Sequence, residues 1–215
     1  MKRYQYWLFD WDGCLARTLE VWLAAYRQGL AEYGALPADQ EIAHHFGDWQ
    51  GACKLGVAVY QNDQCMQRIF ELGRAQLAAV ELYPRAKSLL QRLRSMKLPL
   101  ALVTSSKREV IEAALNHNGI ATYFDAVITA EDVTEHKPHP QSLELALEQI
   151  GGAATEAVLV GDSRKDLEAA RNAGMDSILG YPPEHTLFYD LAGLKKYRPT
   201  IVVQDFEELG QRLTA

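Results

Sequence analysis

The chain has 215 residues, 48% hydrophobic and 23% charged, a composition that predicts a folded protein with a sizeable core: one large domain, or a core domain with an insertion. Its formal net charge of −6 argues against a nucleic acid polymer as partner and leaves room for a small phosphorylated ligand. No apolar run approaches the roughly 20 residues of a membrane span, and Cys14, Cys53 and Cys65 form no Cys-x-x-Cys pair, so reduced thiols in a cytoplasmic protein without a membrane partner are expected.

The first predicted element is the apolar run from Tyr6 to Phe9, too short for the core of a secretory signal. It ends in Asp10-Trp11-Asp12-Gly13. Side chains alternate along a strand, so positions 10 and 12 share one side of its C-terminal end. Two carboxylates held there can bind a divalent cation, or one can act as nucleophile while the other moves protons. Alone, the motif also fits an ordinary turn or a calcium loop.

Residues 15 to 83 read as all helix. Leu19, Trp22, Leu23, Tyr26, Leu30 and Tyr33 follow the helical period up to Gly34. Pro37 opens a second helix to about Phe46, and a third runs from about Trp49 to Tyr60. Asn62 is expected to cap a fourth, with Met66, Ile69, Phe70, Gly73 and Leu77 as its buried stripe.

From Tyr83 the texture becomes alternating helix and strand. Leu89, Leu90 and Leu93 mark a helix from Ala86 to Arg94, and Leu100 to Val103 is a strand apolar on both faces. Ser106 to Glu109 reads as a capping box for a helix closed by Gly119. Further strands are expected at Ala126–Thr129, Ala157–Val160, Ser177–Leu179 and Ile201–Val203, with helices at Pro140–Ile150 and Arg164–Ala173. This alternation predicts an α/β fold: a Rossmann-like parallel sheet with helices on both faces, interrupted by an inserted all-helical cap.

Ligands of such sheets bind beyond the carboxyl ends of the strands. Four strand ends here carry loaded sequences: Asp10 and Asp12; Thr104 and Ser105; Lys137-Pro138, shortly after the third strand; and Gly161-Asp162-Ser163-Arg164-Lys165-Asp166. Singly, each fits a turn, a helix cap or a solvated charge. Jointly they specify a chemistry. Asp10, Asp162 and Asp166 can hold Mg²⁺, while Thr104, backbone N–H groups and Lys137 cradle a phosphoryl group. Asp10 would attack phosphorus; Asp12 would protonate the leaving oxygen and then activate water.

In these motifs, and in their order and spacing, the chain resembles the haloacid dehalogenase-like hydrolase superfamily over almost all of residues 5 to 210. The likeness is to its phosphatase branch with a helical cap, which includes phosphoglycolate phosphatase-like and beta-phosphoglucomutase-like members. The resemblance implies a core of residues 1–14 and 84–215, a cap of residues 15–83, Asp10 as nucleophile and Asp12 as acid and base. It places Thr104 and Lys137 on the phosphoryl group, and Mg²⁺ on Asp10, the Asp12 carbonyl and Asp162, with Asp166 in support. A small phosphorylated metabolite is the expected partner, and a monomer or small homo-oligomer the expected state.

Cys14 stands where the family usually has threonine, and Arg17-Thr18 replaces a usual acidic position. In this family the cap reads the leaving group. Candidate readers are Arg17, His44, His45, Trp49, Gln50 and Lys54, with Ser105 on the core side. His139 and His185 read as turn and loop residues. The presence of Asp12 argues against dehalogenation. Trp22, where mutase-like members carry a histidine, argues against a mutase, and Lys54 is the one candidate for a phosphonate-cleaving imine.

Overall fold

The computed structural model describes residues 2–46 and 48–213. Strands β1 (Tyr6–Phe9), β2 (Leu100–Val103), β3 (Ala126–Ile128), β4 (Ala157–Gly161), β5 (Asp176–Gly180) and β6 (Ile201–Val203) form one parallel sheet in the order β3-β2-β1-β4-β5-β6. Trp7 registers with Leu100 on one side and Val158 on the other, and Phe9 with Leu102 and Val160.

Strand alternation sorts the core into two layers. Trp7, Phe9, Leu100, Leu102, Val158 and Val160 face one way, against α5 (Ala86–Ser95), α6 (Arg108–Asn118) and α10 (Phe206–Arg212). Leu8, Ala101, Val103, Ala157 and Leu159 face the other, against α7 (Gln141–Ile150) and α8 (Arg164–Asn172). Both faces are covered, which is why the central strands are apolar along their whole length. α9 (Leu191–Lys195) and Leu179 belong to a smaller cluster beside β5.

Between β1 and β2 the chain leaves the sheet to build a helical unit from α1 (Thr18–Glu32), α2 (Asp39–His44), α3 (Gly51–Lys54) and α4 (Asn62–Leu77). Leu23, Tyr26 and Leu30 of α1 pack on Met66 and Ile69 of α4. The two helices approach closely because of glycine. A Cβ on Gly29 would lie 2.4 Å from Ile69 Cγ1, and one on Gly73 would lie 2.3 Å from the Trp22 ring. The unit joins the sheet domain through two adjacent segments tied into an antiparallel ribbon, Arg17 N to Glu81 O at 2.9 Å and Tyr83 N to Leu15 O at 2.9 Å.

Three expectations are corrected. The third helix is only Gly51–Lys54, followed by a separate 3-10 turn at Val59–Gln61; Gly56, at φ 101°, breaks the run. Asn62 does not cap α4. Its side chain reaches back, accepting from Cys53 N at 3.0 Å and donating to Trp49 O at 2.8 Å, so it ties α3 to α4. Phe70 leaves the buried stripe for a partly exposed cluster with Trp22 and Trp49.

Gly29→Ala is expected to lower stability by about 1–3 kcal/mol, the usual effect of overpacking a tight contact. A urea denaturation midpoint equal to that of the parent protein would count against this account of the α1–α4 contact.

Candidate active site

β1 and β4 are neighbours at the centre of the sheet, where successive crossovers leave in opposite directions. Such a switch point opens a crevice at the strand ends. Asp10 immediately follows β1, with its N–H on Val160 O at 2.9 Å, and Asp162 immediately follows β4. Both are buried, and so are Asp166 in the first turn of α8 and Lys137 from the loop before α7.

Lys137 binds this cluster together. Its Nζ donates to Asp10 Oδ1 at 2.5 Å, to Asp166 Oδ1 at 2.7 Å and to Val103 O at 3.2 Å, so all its donors are used. Asp166 also closes a capping box. Its Oδ2 accepts from Ser163 N at 3.1 Å and Ser163 Oγ at 2.5 Å, while Asp166 N donates to Ser163 Oγ at 3.4 Å. Gly161 makes room, since a Cβ there would lie 2.5 Å from Asp166 Cβ.

Burial, then the charge of Asp166, pushes the Asp10 pKa above the ordinary carboxylate range, against the pull of Lys137. Burial and the charges of Asp166 and Asp10 do the same at Asp162, opposed by the adjacent Tyr189 hydroxyl. Burial works against the charge of Lys137, but Asp10 and Asp166 hold its pKa above the ordinary lysine value. Asp162 Oδ2 is buried with no hydrogen-bond partner. Gly13 leaves it that space: at φ 73°, a Cβ on Gly13 would lie 2.3 Å from Asp162 Oδ2.

Asp10, Asp162 and Asp166 each offer an oxygen within 4.8 Å of the others. Three buried carboxylates with one ammonium and an unpartnered oxygen fit a hard divalent cation that takes oxygen ligands. The Asp12 carboxylate lies outside this group. It turns toward β2, where Oδ2 accepts from Thr104 Oγ1 at 3.2 Å and Ser106 Oγ at 2.7 Å.

Ser106 is therefore not the helix cap that its spacing predicts. α6 begins at Arg108, Lys107 is its N-cap with no side-chain capping bond, and the Ser106 hydroxyl serves Asp12 instead. Its signal in the sequence, Ser-x-x-Glu, is the same for both roles. Ser105 is exposed beside Thr104.

The cap candidates are more dispersed. Arg17 pairs with Glu20 at 3.0 Å and lies over the Tyr83 ring at the ribbon. Lys54 Nζ is held by Asp48 Oδ2 at 2.6 Å, and its cavity of about 660 Å³, shared with His44 and His45, is lined by helical-unit residues alone. Trp49 Nε1 donates to Asp63 Oδ1 at 3.0 Å, and Gln50 takes part through its backbone N–H, on Asp48. A second cleft, about 610 Å³, opens where Phe70, Glu71 and Arg74 of α4 face Glu109, Val110 and Ala113 of α6.

Two further features escaped the sequence reading. Cys14 is buried, its Sγ on Val160 O at 3.4 Å, and burial and the nearby aspartates push its pKa well up, which makes it an inert thiol. His185 is fully buried rather than a loop residue, with Nε2 2.9 Å from the Tyr83 hydroxyl. Burial pushes its pKa down to about 4 and keeps it neutral. The same segment sets Tyr189 beside Asp162 and Phe188 against Phe46 of the helical unit. No local pattern announces these contacts, because each joins residues far apart in the chain.

A carboxyl group that holds its proton more tightly in the folded chain favours folding at low pH, and that advantage is lost as pH rises. His185, held neutral by burial, works the other way over the same range, so the comparison between proteins is the test: with divalent cations chelated, the urea midpoint of the parent is expected to shift downward, relative to that of Asp10→Asn, as pH rises from about 4 toward neutrality. Equal slopes for the two proteins would contradict the raised Asp10 pKa.

Known proteins are similar to this chain. The haloacid dehalogenase-like hydrolase family profile matches residues 7–179. The Bacillus velezensis pyrophosphatase PpaX is 31% identical over 178 residues, covering 80% of this chain and 81% of that protein. The Escherichia coli K12 fructose-1-phosphate phosphatase YqaB is 30% identical over 198 residues, covering 82% and 96%. The solved structure of a haloacid dehalogenase-like family protein from Streptococcus pneumoniae has the same fold, with a TM-score of 0.78 at 21% identity over 99% of this chain and 100% of that one. With a profile match this long over a site of this construction, the chain belongs to the haloacid dehalogenase-like hydrolase family.

Proposed function

We propose that the protein is a Mg²⁺-dependent phosphatase that hydrolyses a small phosphomonoester through an aspartyl-phosphate on Asp10. The observation that carries this reading is the division of labour between the two carboxylates. Asp10 is buried and oriented by Lys137, whereas Asp12 is half-buried and held by hydroxyl groups. The names of the relatives, a pyrophosphatase and a sugar-phosphate phosphatase, support a phosphoryl substrate.

In the first step an Asp10 carboxylate oxygen forms a bond to phosphorus, the bond from phosphorus to the leaving oxygen breaks, and Asp12 gives that oxygen a proton. In the second, Asp12 takes a proton from water as the water oxygen attacks phosphorus. The Asp10–phosphorus bond breaks and inorganic phosphate leaves. Thr104 would orient a phosphoryl oxygen through its hydroxyl, and the Lys137 ammonium would offset phosphoryl charge, trading one of its present contacts for a phosphoryl oxygen. Asp10, the Asp12 carbonyl and Asp162 would hold Mg²⁺, with Asp166 fixing Lys137 beside them. The bound ion would supply charge to a phosphoryl oxygen and fix its orientation.

We read residues 15–83 as the cap and residues 1–14 and 84–215 as the core, joined at the ribbon. Arg17 is the cap candidate that sits at that joint, over the Tyr83 ring. Lys54, tied to Asp48, gives no support to an imine route. No described helix is long and apolar enough to cross a membrane, and a cytoplasmic setting fits a small phosphorylated metabolite as substrate.

A phosphate-release screen over phosphate esters and pyrophosphate is expected to show turnover that EDTA removes and Mg²⁺ restores. Asp10→Asn should abolish it, and turnover persisting in that variant would sink the mechanism. Gly13→Ala, which crowds Asp162, should raise the Mg²⁺ concentration for half-activation about tenfold or more, the scale on which neighbours of metal ligands act. An unchanged Mg²⁺ dependence would remove Asp162 from the metal site.

A further inference from the structure

We infer that Ser106 is a positioning residue that holds Asp12 in register for proton transfer; the inference rests on the phosphatase reading above. Two hydroxyl groups converge on one oxygen of Asp12, Thr104 Oγ1 at 3.2 Å and Ser106 Oγ at 2.7 Å, and among the described residues Oδ1 receives no hydrogen bond. A carboxyl group anchored through one oxygen presents the other in a fixed direction. Oδ1 is thus the atom that carries the proton to the leaving group.

The two anchors are not equivalent. A hydroxyl has one proton to donate. Once a phosphoryl group occupies the site, Thr104 is claimed by a phosphoryl oxygen and its donation to Asp12 ends. Ser106 then remains as the only hydroxyl on Oδ2. It is also the shorter of the two contacts in the resting site.

The backbone of Ser106 is pinned for this task. Its N–H donates to Thr104 Oγ1 at 3.0 Å, and its carbonyl accepts from Ala130 N at 3.1 Å, in the loop after β3. The sheet edge therefore fixes the serine on both sides, and Asp12 is oriented through it. When Asp10 bonds to phosphorus and the leaving oxygen departs with both electrons of its bond, the proton on Oδ1 goes to that oxygen. A poorly aimed Oδ1 slows this step only where the leaving oxygen needs the proton.

That dependence supplies the test. kcat/KM reports the first irreversible step, and is compared for p-nitrophenyl phosphate, whose leaving group departs unprotonated, and for alkyl esters (2-phosphoglycolate, fructose 1-phosphate and glycerol 2-phosphate). Ser106→Ala is expected to lose about 10- to 100-fold on the alkyl ester that the parent hydrolyses best, and roughly threefold or less on the aryl ester. Its Mg²⁺ half-saturation and thermal midpoint should be unchanged. Ser106→Thr, which keeps the hydroxyl, should restore the parental ratio between the two esters.

Equal losses on both esters, or none on the alkyl ester, would overturn the role of Ser106 while leaving the phosphatase reading intact. So would a Ser106→Thr protein that folds but behaves like the alanine variant. A parent protein that hydrolyses only the aryl ester would show that Asp12 delivers no proton to an alkyl leaving oxygen, and would overturn it too. Failure of the parent on every ester, or full activity of Asp10→Asn, would instead overturn the phosphatase reading and this inference with it.

Discussion

The organising interaction of this protein is one buried ammonium shared between carboxylates. Lys137 touches Asp10 after β1, the last carbonyl of β2 and Asp166 on α8, so a single cation fastens three separate chain segments to one another. Burying such a group is costly unless every donor is met, and here every donor is. Removing the lysine would leave acidic groups facing each other with no counter-charge in a dry site. The fold tolerates this concentration of charge because the switch point of the sheet brings these ends together in any case, and the chemistry then requires it.

Around that centre, the two aspartates of the first motif differ in surroundings more than in sequence position. Asp10 is walled in by apolar strands, acid groups and Lys137, and burial with the neighbouring acid charge raises its proton affinity in spite of that one cation. Asp12, two residues on, has left the strand and is gripped by hydroxyls of the neighbouring strand end. The separate roles proposed for these identical side chains rest on what each can touch.

Much of this was legible beforehand because it rests on local patterns. Short apolar runs ending in charged or hydroxyl residues mark buried strands and their open ends, so Asp10, Asp12, Thr104 and Asp162 are legible from the sequence, and Lys137 joins them only through the joint occurrence of the motifs. Errors arose where one pattern serves two purposes. Ser106 and Glu109 have capping spacing, yet the hydroxyl found a stronger acceptor in Asp12 across the sheet edge. Asn62 sits where a cap belongs, but its amide satisfies the backbone of α3. The run from Trp49 to Tyr60 looked continuous because Gly56 weighs little against an apolar period until its positive φ is seen. α10 was passed over although Asp205 and Glu208 carry a usable signature, with Glu208 N on Asp205 Oδ1 at 2.7 Å. His185 and Tyr189 were beyond reach, since their partners lie on other elements.

The ribbon between residues 15–17 and 81–83 has one further consequence. The helical insertion departs and returns through adjacent segments, so its ends are held together whatever lies between them. To the sheet domain it is a closed loop, and the entropy of closing it grows only slowly with its length. Helices could be lengthened, exchanged or replaced between these two anchor points without changing the distance the core must span. Under the proposed function, a change of leaving group is therefore separable from the handling of phosphorus: the helical unit can be rewritten while the four strand ends stay as they are.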